Sequence, residues 1–187
     1  MANNLEQVNL VLRRFRDYVI QQSRSNLTKG RTPHGSYKNS GDLYNSLKGE
    51  ILTEEKFSII GFSMADYGKF VDQGVKGKTS SERAPNSPFK FGRGGAKGGL
   101  LNGIRKWVKD KGIQFRVAKS GKSGKGGTFM THEQTARLIS RSIFHKGIKA
   151  SLFFTKPFEA GYKKYIEVDL IKAFGQDVET MIDYNIK

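Results

Sequence analysis

The stretch of sequence from residue 65 to residue 74 reads ADYGKFVDQG. We predict a short helix over residues 65–73, because glycine, here Gly74, is a typical residue at which a helix ends. The composition changes directly after it. Residues 1–75 carry 10 Lys and Arg against 8 Asp and Glu, whereas residues 76–127 carry 14 against 2 and hold 12 of the 22 glycines. The stretch therefore marks the border between a nearly balanced segment and a basic, glycine-rich one.

Upstream of this border the sequence predicts a helix and a β-hairpin. In residues 4–23 apolar side chains recur at three- and four-residue spacing, which is typical of an amphipathic helix packed on a core (Leu5, Val8, Leu12, Phe15, Val19). Residues 24–42 are polar with Gly and Pro, and are predicted as a loop. Residues 47–53 and 56–63 are predicted strands. Because the second strand is apolar on both faces, we expect it to be buried or covered by a neighbour.

Downstream of the border we predict a loop over residues 75–97 and then a helix over 99–111. Its expected core face is Leu100, Leu101, Ile104, Trp107 and Val108. Ile113 to Val117 is a predicted short strand, and the Ser/Gly/Lys tract that follows it is typical of a flexible linker.

The last third of the chain predicts two more helices. Thr131 and Gln134 have the spacing of a capping box, which starts a helix running to Lys146. Its expected inward residues are Thr135, Leu138, Ile139, Ser142 and Ile143. Residues 150–155 are a predicted strand, and Pro157 suits the first turn of a final helix with a break near Gly175. That helix carries Phe158, Tyr162, Ile166, Ile171, Phe174, Val178, Met181 and Ile182.

These elements indicate an α+β fold in a single domain over residues 1–187. We expect the N-terminal helix and the C-terminal helices to pack on a small, mostly antiparallel sheet. Residues 76–127 form a long Gly/Lys-rich insertion in this scheme. Its low apolar content predicts that it becomes ordered against a partner.

The formal net charge of +16 favours an acidic partner, which is a nucleic acid, an anionic membrane face or an acidic protein surface. General solubility is the alternative explanation. Residues 128–187 carry 9 basic and 7 acidic side chains, so the excess is concentrated in the insertion. There it is mixed with Phe89, Phe91, Trp107 and Phe115, and Phe129 follows directly after it, a combination that suits phosphate contact and base stacking.

The sequence offers no catalytic apparatus, and we expect no enzyme activity, metal or cofactor. Cysteine is absent, which excludes disulfides and thiolate metal sites. The three histidines, His34, His132 and His145, lack metal-ligand spacing. Gly121-Lys122-Ser123 resembles the end of a phosphate loop, but Arg116 stands where that motif needs glycine. We find no Gly-x-Ser-x-Gly nucleophile elbow. No stretch is long and apolar enough for a signal peptide or a membrane span, so we expect synthesis in a cytoplasm and no membrane partner.

Three segments resemble motifs of the bacteriophage tail-component and tail-completion family. Residues 41–47 (GDLYNSL) are similar to a T-G-x-L-x-x-S-I motif, and residues 65–74 to Y-A-x-Y-V-E-x-G-T. Residues 147–160 (GIKASLFFTKPFEA) are similar to G-x-x-A-x-P-F-L-x-P-A, and the order along the chain is the same. Asp72 stands where Glu is common in the family, and Val75 where Thr is common.

The resemblance implies a structural virion protein without an active site. Such a subunit forms a homo-oligomeric ring, six-fold or a multiple, at the phage neck or the top of the tail. Its partners are neighbouring connector, portal-ring or tail proteins, with possible contact to packaged DNA, and it is made in the host cytoplasm. The alternative that the residues leave open is a stand-alone basic nucleic-acid-binding protein.

Two sets of contact residues follow from this hypothesis. We predict that subunit and partner interfaces involve Tyr67, Phe70, Val71, Asp72, Gly74, Phe89, Phe91, Pro157 and Phe158. We predict that an acidic partner or DNA contacts Lys76, Lys78, Arg83, Lys90, Arg93, Lys97, Lys119, Lys122 and Lys125.

Overall fold

A computed structural model of the chain describes residues 5–29, 41–53, 57–92, 99–117 and 127–186. The chain forms two compact units, one made of Met1–Asp72 with Ser151–Lys187, the other of Gln73–Ala150. Helices combine with small antiparallel strand pairs, and the fold class is α+β as predicted. The second unit is larger than the predicted insertion, because it also includes the helix and the short strand that follow residue 127.

The first unit is built around one long helix. This helix, α1 (Glu6–Lys29), continues through residues 24–29, which were expected to be a loop. The elements that follow are α2 (Asp42–Ser46), the strands β1 (Lys48–Thr53) and β2 (Ser58–Ser63), and α3 (Gly68–Gln73).

The core of the first unit is aromatic. Phe15 of α1 is buried together with the predicted Leu12 and Val19. The Phe15 ring meets the rings of Phe62 and Phe158 edge-on, at centroid distances of 6.0 and 5.5 Å. These edge-to-face contacts join α1, the hairpin and the C-terminal helices into one core.

The predicted strand pair is confirmed, but only one of its two faces packs against the rest of the unit. β1 and β2 pair antiparallel, with Leu52 opposite Ile59. At Gly49 one face lies so close to α1 that a Cβ there would stand 2.7 Å from the Arg16 side chain. On the other face Leu52 and Ile59 remain 63% and 52% exposed. Within the described residues no element of the chain packs on this outer face, so the chain itself does not bury the second strand on both sides.

The C-terminal helices begin with Pro157 in the first turn, as predicted, but they have no break near Gly175. α6 (Thr155–Gly161) starts two residues before Pro157, and residues 150–154 are not a strand. A π-helical segment (Tyr162–Leu170) and α7 (Ile171–Ile186) follow, and α7 runs through Gly175. Gly161 allows the C-terminal helices to pack closely on α1, because a Cβ at this position would lie 3.0 Å from the rings of Phe15 and Tyr18.

A buried carboxylate from α7 caps the start of α1. The two Asp177 oxygens accept hydrogen bonds from the backbone N–H groups of Gln7 and Val8, at 3.1 and 3.0 Å. The first N–H groups of a helix lack partners within the helix and favour negative charge. Asp177 thus ties together residues 170 positions apart in the sequence.

The second unit pairs two helices beside a two-stranded ribbon. Its elements are β3 (Val75–Lys76), α4 (Gly99–Asp110), α5 (His132–Lys146) and β4 (Gly147–Ile148). β3 and β4 pair antiparallel, with Val75 opposite Ile148. The predicted capping box is present, since the Thr131 hydroxyl accepts from the Gln134 N–H and the Gln134 side chain accepts from the Thr131 N–H. In place of the predicted strand over 113–117 there is a single bridge, Arg116 to Phe129.

The inward faces of both helices differ from the prediction. α5 buries Thr135, Ala136, Ser140 and Phe144, whereas the predicted Leu138 and Ser142 are exposed. On α4 only Val108 is fully buried, and the predicted core residue Trp107 is 45% exposed. The reason is that α5 meets α4 on the side of Val108 and Arg105, and successive helical residues point about 100° apart.

Candidate binding surfaces

Within the first unit, the segments that carry the resemblance contact one another. The Ser46 hydroxyl, in the first segment, accepts a hydrogen bond from the Ala65 N–H in the second, at 3.0 Å. Leu43 packs against Gly68, where an added Cβ would stand 2.9 Å from the leucine side chain. The second segment meets the third at Val71, whose carbonyl oxygen accepts from the N–H and the hydroxyl of Ser151. Residues far apart in the sequence thus form one connected network.

Asp72 is the centre of this network, and it is only 4% exposed. Its Oδ1 accepts hydrogen bonds from the N–H groups of Phe154 and Thr155, at 2.8 and 3.2 Å, and its Oδ2 accepts from the Thr155 hydroxyl. Its backbone oxygen accepts from the N–H of Leu152, a non-glycine residue at a φ of +53°. Asp72 therefore caps α6 from a distant position in the sequence, which is why α6 starts at Thr155.

These contacts correct part of the predicted interface. Asp72, Gly74 and Pro157 are buried within the chain and are not placed to contact a partner. Gly74 has a φ of +71°, and its carbonyl oxygen accepts from the buried Ser87 hydroxyl. These three predicted contact residues hold the fold instead.

The other predicted interface residues differ in exposure. Tyr67 and Phe70 are exposed on the first unit. The remaining four are half-buried, namely Val71, Phe89, Phe91 and Phe158. Phe91 packs on Phe144 of α5, and Phe158 belongs to the aromatic core. Tyr67 and Phe70 are thus the predicted positions with the most surface available to a partner.

Two further apolar surfaces of the first unit were not predicted as contacts. The apolar hairpin surface consists of Leu52, Phe57 and Ile59, each at least half exposed. The apolar helix stripe consists of Val168, Ile171 and Phe174, and Ile171 is 71% exposed. The sequence assigned Ile171 and Phe174 to the final helix but gave no means of separating its core face from its outer face.

The second unit carries nearly all the net charge of the protein. Residues 73–150 contain 18 Lys and Arg against 3 Asp and Glu, a net of +15 out of the total of +16. The basic segment that composition defines ends at residue 127, and the second unit adds the basic residues in and after α5, which are Arg137, Arg141, Lys146 and Lys149. All four are exposed. The helix pairing assigns them to the same unit, a grouping that charge density along the sequence does not reveal.

Few of these charges are compensated. In the part of the second unit that the structure describes, Glu133 makes the ion pairs, with Arg105 at 2.6 Å and Arg137 at 2.8 Å. Hydrogen bonds from Arg105 and then Arg137 lower the pKa of Glu133 to about 2, and the same bond raises the pKa of Arg105. One carboxylate is thus shared by two guanidinium groups, and most of the positive surface faces solvent.

Exposed aromatic rings occur close in the sequence to several of these cations. The side chains of Lys106, Trp107, Lys109 and Lys111 are exposed along the end of α4. After α4, Arg116 and Phe129 form the isolated β-bridge. The Arg116 guanidinium lies 4.5 Å from the centroid of the Phe129 ring, and Phe129 is 58% exposed. The N–H of Phe115 donates to the buried Thr135 hydroxyl at 3.3 Å, which anchors the bridge to α5. We call Lys106, Trp107, Lys109, Lys111, Phe115, Arg116 and Phe129 the basic aromatic surface.

The cations predicted to contact an acidic partner are only partly within the described ranges. Lys78, Arg83 and Lys90 are exposed, and Lys76 is half-buried in β3. Arg83 donates to the Gly147 carbonyl oxygen at 3.3 Å, and the Lys78 ammonium lies 5.7 Å from the Phe144 ring centroid. Arg93, Lys97, Lys119, Lys122 and Lys125 lie outside the described residues.

A cleft of about 450 Å³ in the first unit is lined by α1 and Tyr44. Its one arginine, Arg24, donates to the Leu47 carbonyl oxygen and lies 5.1 Å from the Tyr44 ring centroid, so it serves the fold. Over the described ranges, no group of three or more His, Asp or Glu side chains is placed to hold a metal ion. Nor does any helix there have the length and apolar character needed to cross a bilayer.

Comparison of the chain with protein-family models, curated proteins and solved structures finds no match.

Proposed function

We propose that this chain is a structural protein of a bacteriophage particle, a subunit of a ring at the neck or the top of the tail. It completes the tail or joins it to the head, and it is made in the host cytoplasm. The observation that carries the proposal is the network around Asp72. Three segments that resemble one family's motifs, each short by itself, meet as the contacts that set the start of α6. Chance matches would have no reason to lie together.

The surface of the first unit supports a role in assembly. Exposed apolar groups are normal when scattered, but contiguous ones mark contact sites. Leu52 and Ile59 are paired across the two strands, and Phe57 lies two residues before Ile59 in the sequence. Strand pairs of this kind usually need a third strand or a covering element for stability. In the proposed ring, a second copy of the chain covers the apolar hairpin surface.

The proposed role is binding rather than catalysis. Asp72 in the network and Asp177 on α7 are buried as helix caps, and Glu133 is held by two arginines. The partners in this proposal are other copies of the chain and the neighbouring connector, portal-ring or tail proteins.

Deletion of the gene from a phage that encodes this protein tests the proposal. We expect particles in which heads and tails accumulate separately, and recovery of joined particles when the protein is supplied from a plasmid. Electron microscopy of recovered particles should show the protein at the joint in multiple copies. Normal joined particles without the protein would overturn the proposal.

The alternative function, a stand-alone nucleic-acid-binding protein, is favoured by one observation, the +15 charge of residues 73–150. It differs from the first in predicting no defect in particle assembly. The deletion experiment therefore separates the two.

A further inference from the structure

The basic aromatic surface combines two properties that suit a nucleic-acid strand. Its cations are predominantly lysines, and only Arg116 among them has a described partner, the Phe129 ring. Its rings are exposed, as Trp107 and Phe129 show. Rings of this size are normally placed in a core, so three of them exposed among cations require an explanation.

The abundance of lysine on this surface helps to decide between an acidic protein and a nucleic acid as the partner. Protein–protein interfaces are depleted in Lys and enriched in Arg, whereas interfaces with nucleic acids are strongly positive and contact phosphates with Lys as well as Arg. Lys106, Lys109 and Lys111 lie within six residues, and Asp110 is the one carboxylate among them. This composition favours a phosphate backbone over an acidic protein surface.

The exposed aromatic rings indicate whether the nucleic acid is single-stranded or a duplex. Bases in a duplex are already stacked on each other, so exposed rings gain little from them, whereas unpaired bases stack on aromatic side chains. The Arg116 guanidinium lies over Phe129, and the phenyl ring is still 58% exposed. Arg116 thus positions the Phe129 ring, and the exposed part of the ring is available to stack on a base.

From these observations we infer that the second unit binds single-stranded nucleic acid without sequence selectivity. Lys106, Lys109 and Lys111 contact phosphates, and Trp107 and Phe129 stack on bases. The inference goes beyond the proposed role in the virion, since it assigns a ligand to a surface that ring assembly does not require.

Fluorescence anisotropy with the full-length protein tests the inference. The probes are a labelled oligothymidylate of about 20 nucleotides and a duplex of equal length, because a site of this kind spans about 4–16 nucleotides. We expect tighter binding to the single strand, although the duplex has the higher charge density. Equal or tighter binding to the duplex would overturn the inference. So would a polyglutamate peptide that competes as well as the oligonucleotide at equal charge.

Matched variants locate the phosphate contacts. Lys106→Gln with Lys109→Gln should reduce the slope of log affinity against log salt by about 1.4, since each single-strand phosphate contact contributes about 0.7. The control, Lys163→Gln with Lys172→Gln, removes the same charge from exposed positions of the first unit. Equal losses in both double variants would mean that net charge alone acts, and would contradict the assigned surface.

The ring contact has its own test. Phe129→Leu keeps an apolar side chain without the ring and should weaken single-strand binding about tenfold, with less than twofold change for the duplex. Phe129→Tyr keeps the ring and should restore the affinity. Circular dichroism of each variant reports folding. A folded Phe129→Leu variant with unchanged single-strand affinity would remove the stacking role.

Discussion

At the scale of single residues, two aspartates cap helices, a role that the sequence pattern did not predict for either of them. Asp72 and Asp177 are each 4% exposed, and each accepts two backbone N–H groups at the start of a helix. Both lie far in the sequence from the helices that they cap. A cap of this kind has no local sequence signature, unlike Thr131 and Gln134, whose reciprocal bonds could be predicted from their spacing.

Asp72→Ala should therefore destabilise the protein by about 3 kcal/mol, since the cap is lost and buried donors are left without partners. Asp72→Asn keeps one acceptor oxygen and should cost about half as much. Free energies of unfolding from urea titration give the comparison. The control is Asp66→Ala, an exposed position in the same segment, for which we expect a change within about 0.5 kcal/mol. Equal effects at both positions would contradict the capping role.

Two glycines should respond in opposite directions to alanine. Gly147 has a φ of +85° and a ψ of 179°, and a Cβ there would stand 2.3 Å from the Val75 carbonyl oxygen. Gly147→Ala should cost at least about 2 kcal/mol, because this backbone region is nearly restricted to glycine. Gly103 is inside α4 with open space around it, so Gly103→Ala should stabilise by about 0.5–1 kcal/mol. Thermal unfolding measures both, and a stable Gly147→Ala variant would be inconsistent with this geometry.

At the scale of elements, the joint between α4 and α5 depends on a shared carboxylate. Glu133 lies in the first turn of α5 and binds Arg105 of α4 with both oxygens, at 2.6 and 2.7 Å. Arg137, one turn along α5, binds the same carboxylate. The geometry explains why α4 turns Trp107 outward, since the arginine side of the helix faces α5.

This joint predicts a pH dependence. The pKa of Glu133 is lowered to about 2, so the ion pairs stabilise the folded state fully above its usual value of 4.5 and are lost as pH falls toward 2. Carboxyl NMR should show the Glu133 titration near pH 2. Arg105→Gln should move its midpoint up toward 4.5, and Arg141→Gln, on the same helix but outside the pairs, should leave it in place. A midpoint of 4.5 in the unaltered protein would refute the shared pairing.

At the scale of the whole molecule, the excess positive charge and the two apolar surfaces defined above belong to different units. Residues 73–150 hold +15 of the net charge, and the other residues are nearly balanced. The exposed apolar hairpin surface and helix stripe belong to the first unit. This division fits a protein with two kinds of contact, an apolar one for assembly and a cationic one for a polyanion.

Ile59→Lys tests the assembly contact. Ile59 is on the outer face of β2, so the change should alter the free energy of unfolding by less than about 1 kcal/mol. It should nevertheless abolish the ability of the supplied protein to restore joined particles, because a buried lysine at the interface is left unpaired. Ser63→Lys is the control, on the same face of the same strand. A fully active Ile59→Lys variant would exclude the hairpin from the ring contact.

Much of the fold was determined by local sequence patterns. The spacing of Leu12, Phe15 and Val19 indicated the buried face of α1, and the strand pair and the α5 cap also follow from neighbouring residues. The border at residues 65–74 was visible as a change in composition. The basic character and the lack of a catalytic motif could be inferred in the same way, since each depends on residue types alone.

Only the tertiary structure decided which residues face outward and which hold the fold. Asp72, expected at an interface, is a buried cap, whereas Trp107, expected in the core, is exposed. It also joined Arg137 and Arg141 of α5 to the basic segment that precedes them. The physical reason is the same in each case. Helical spacing determines which residues share a face, but whether that face is covered depends on contacts between residues distant in the sequence.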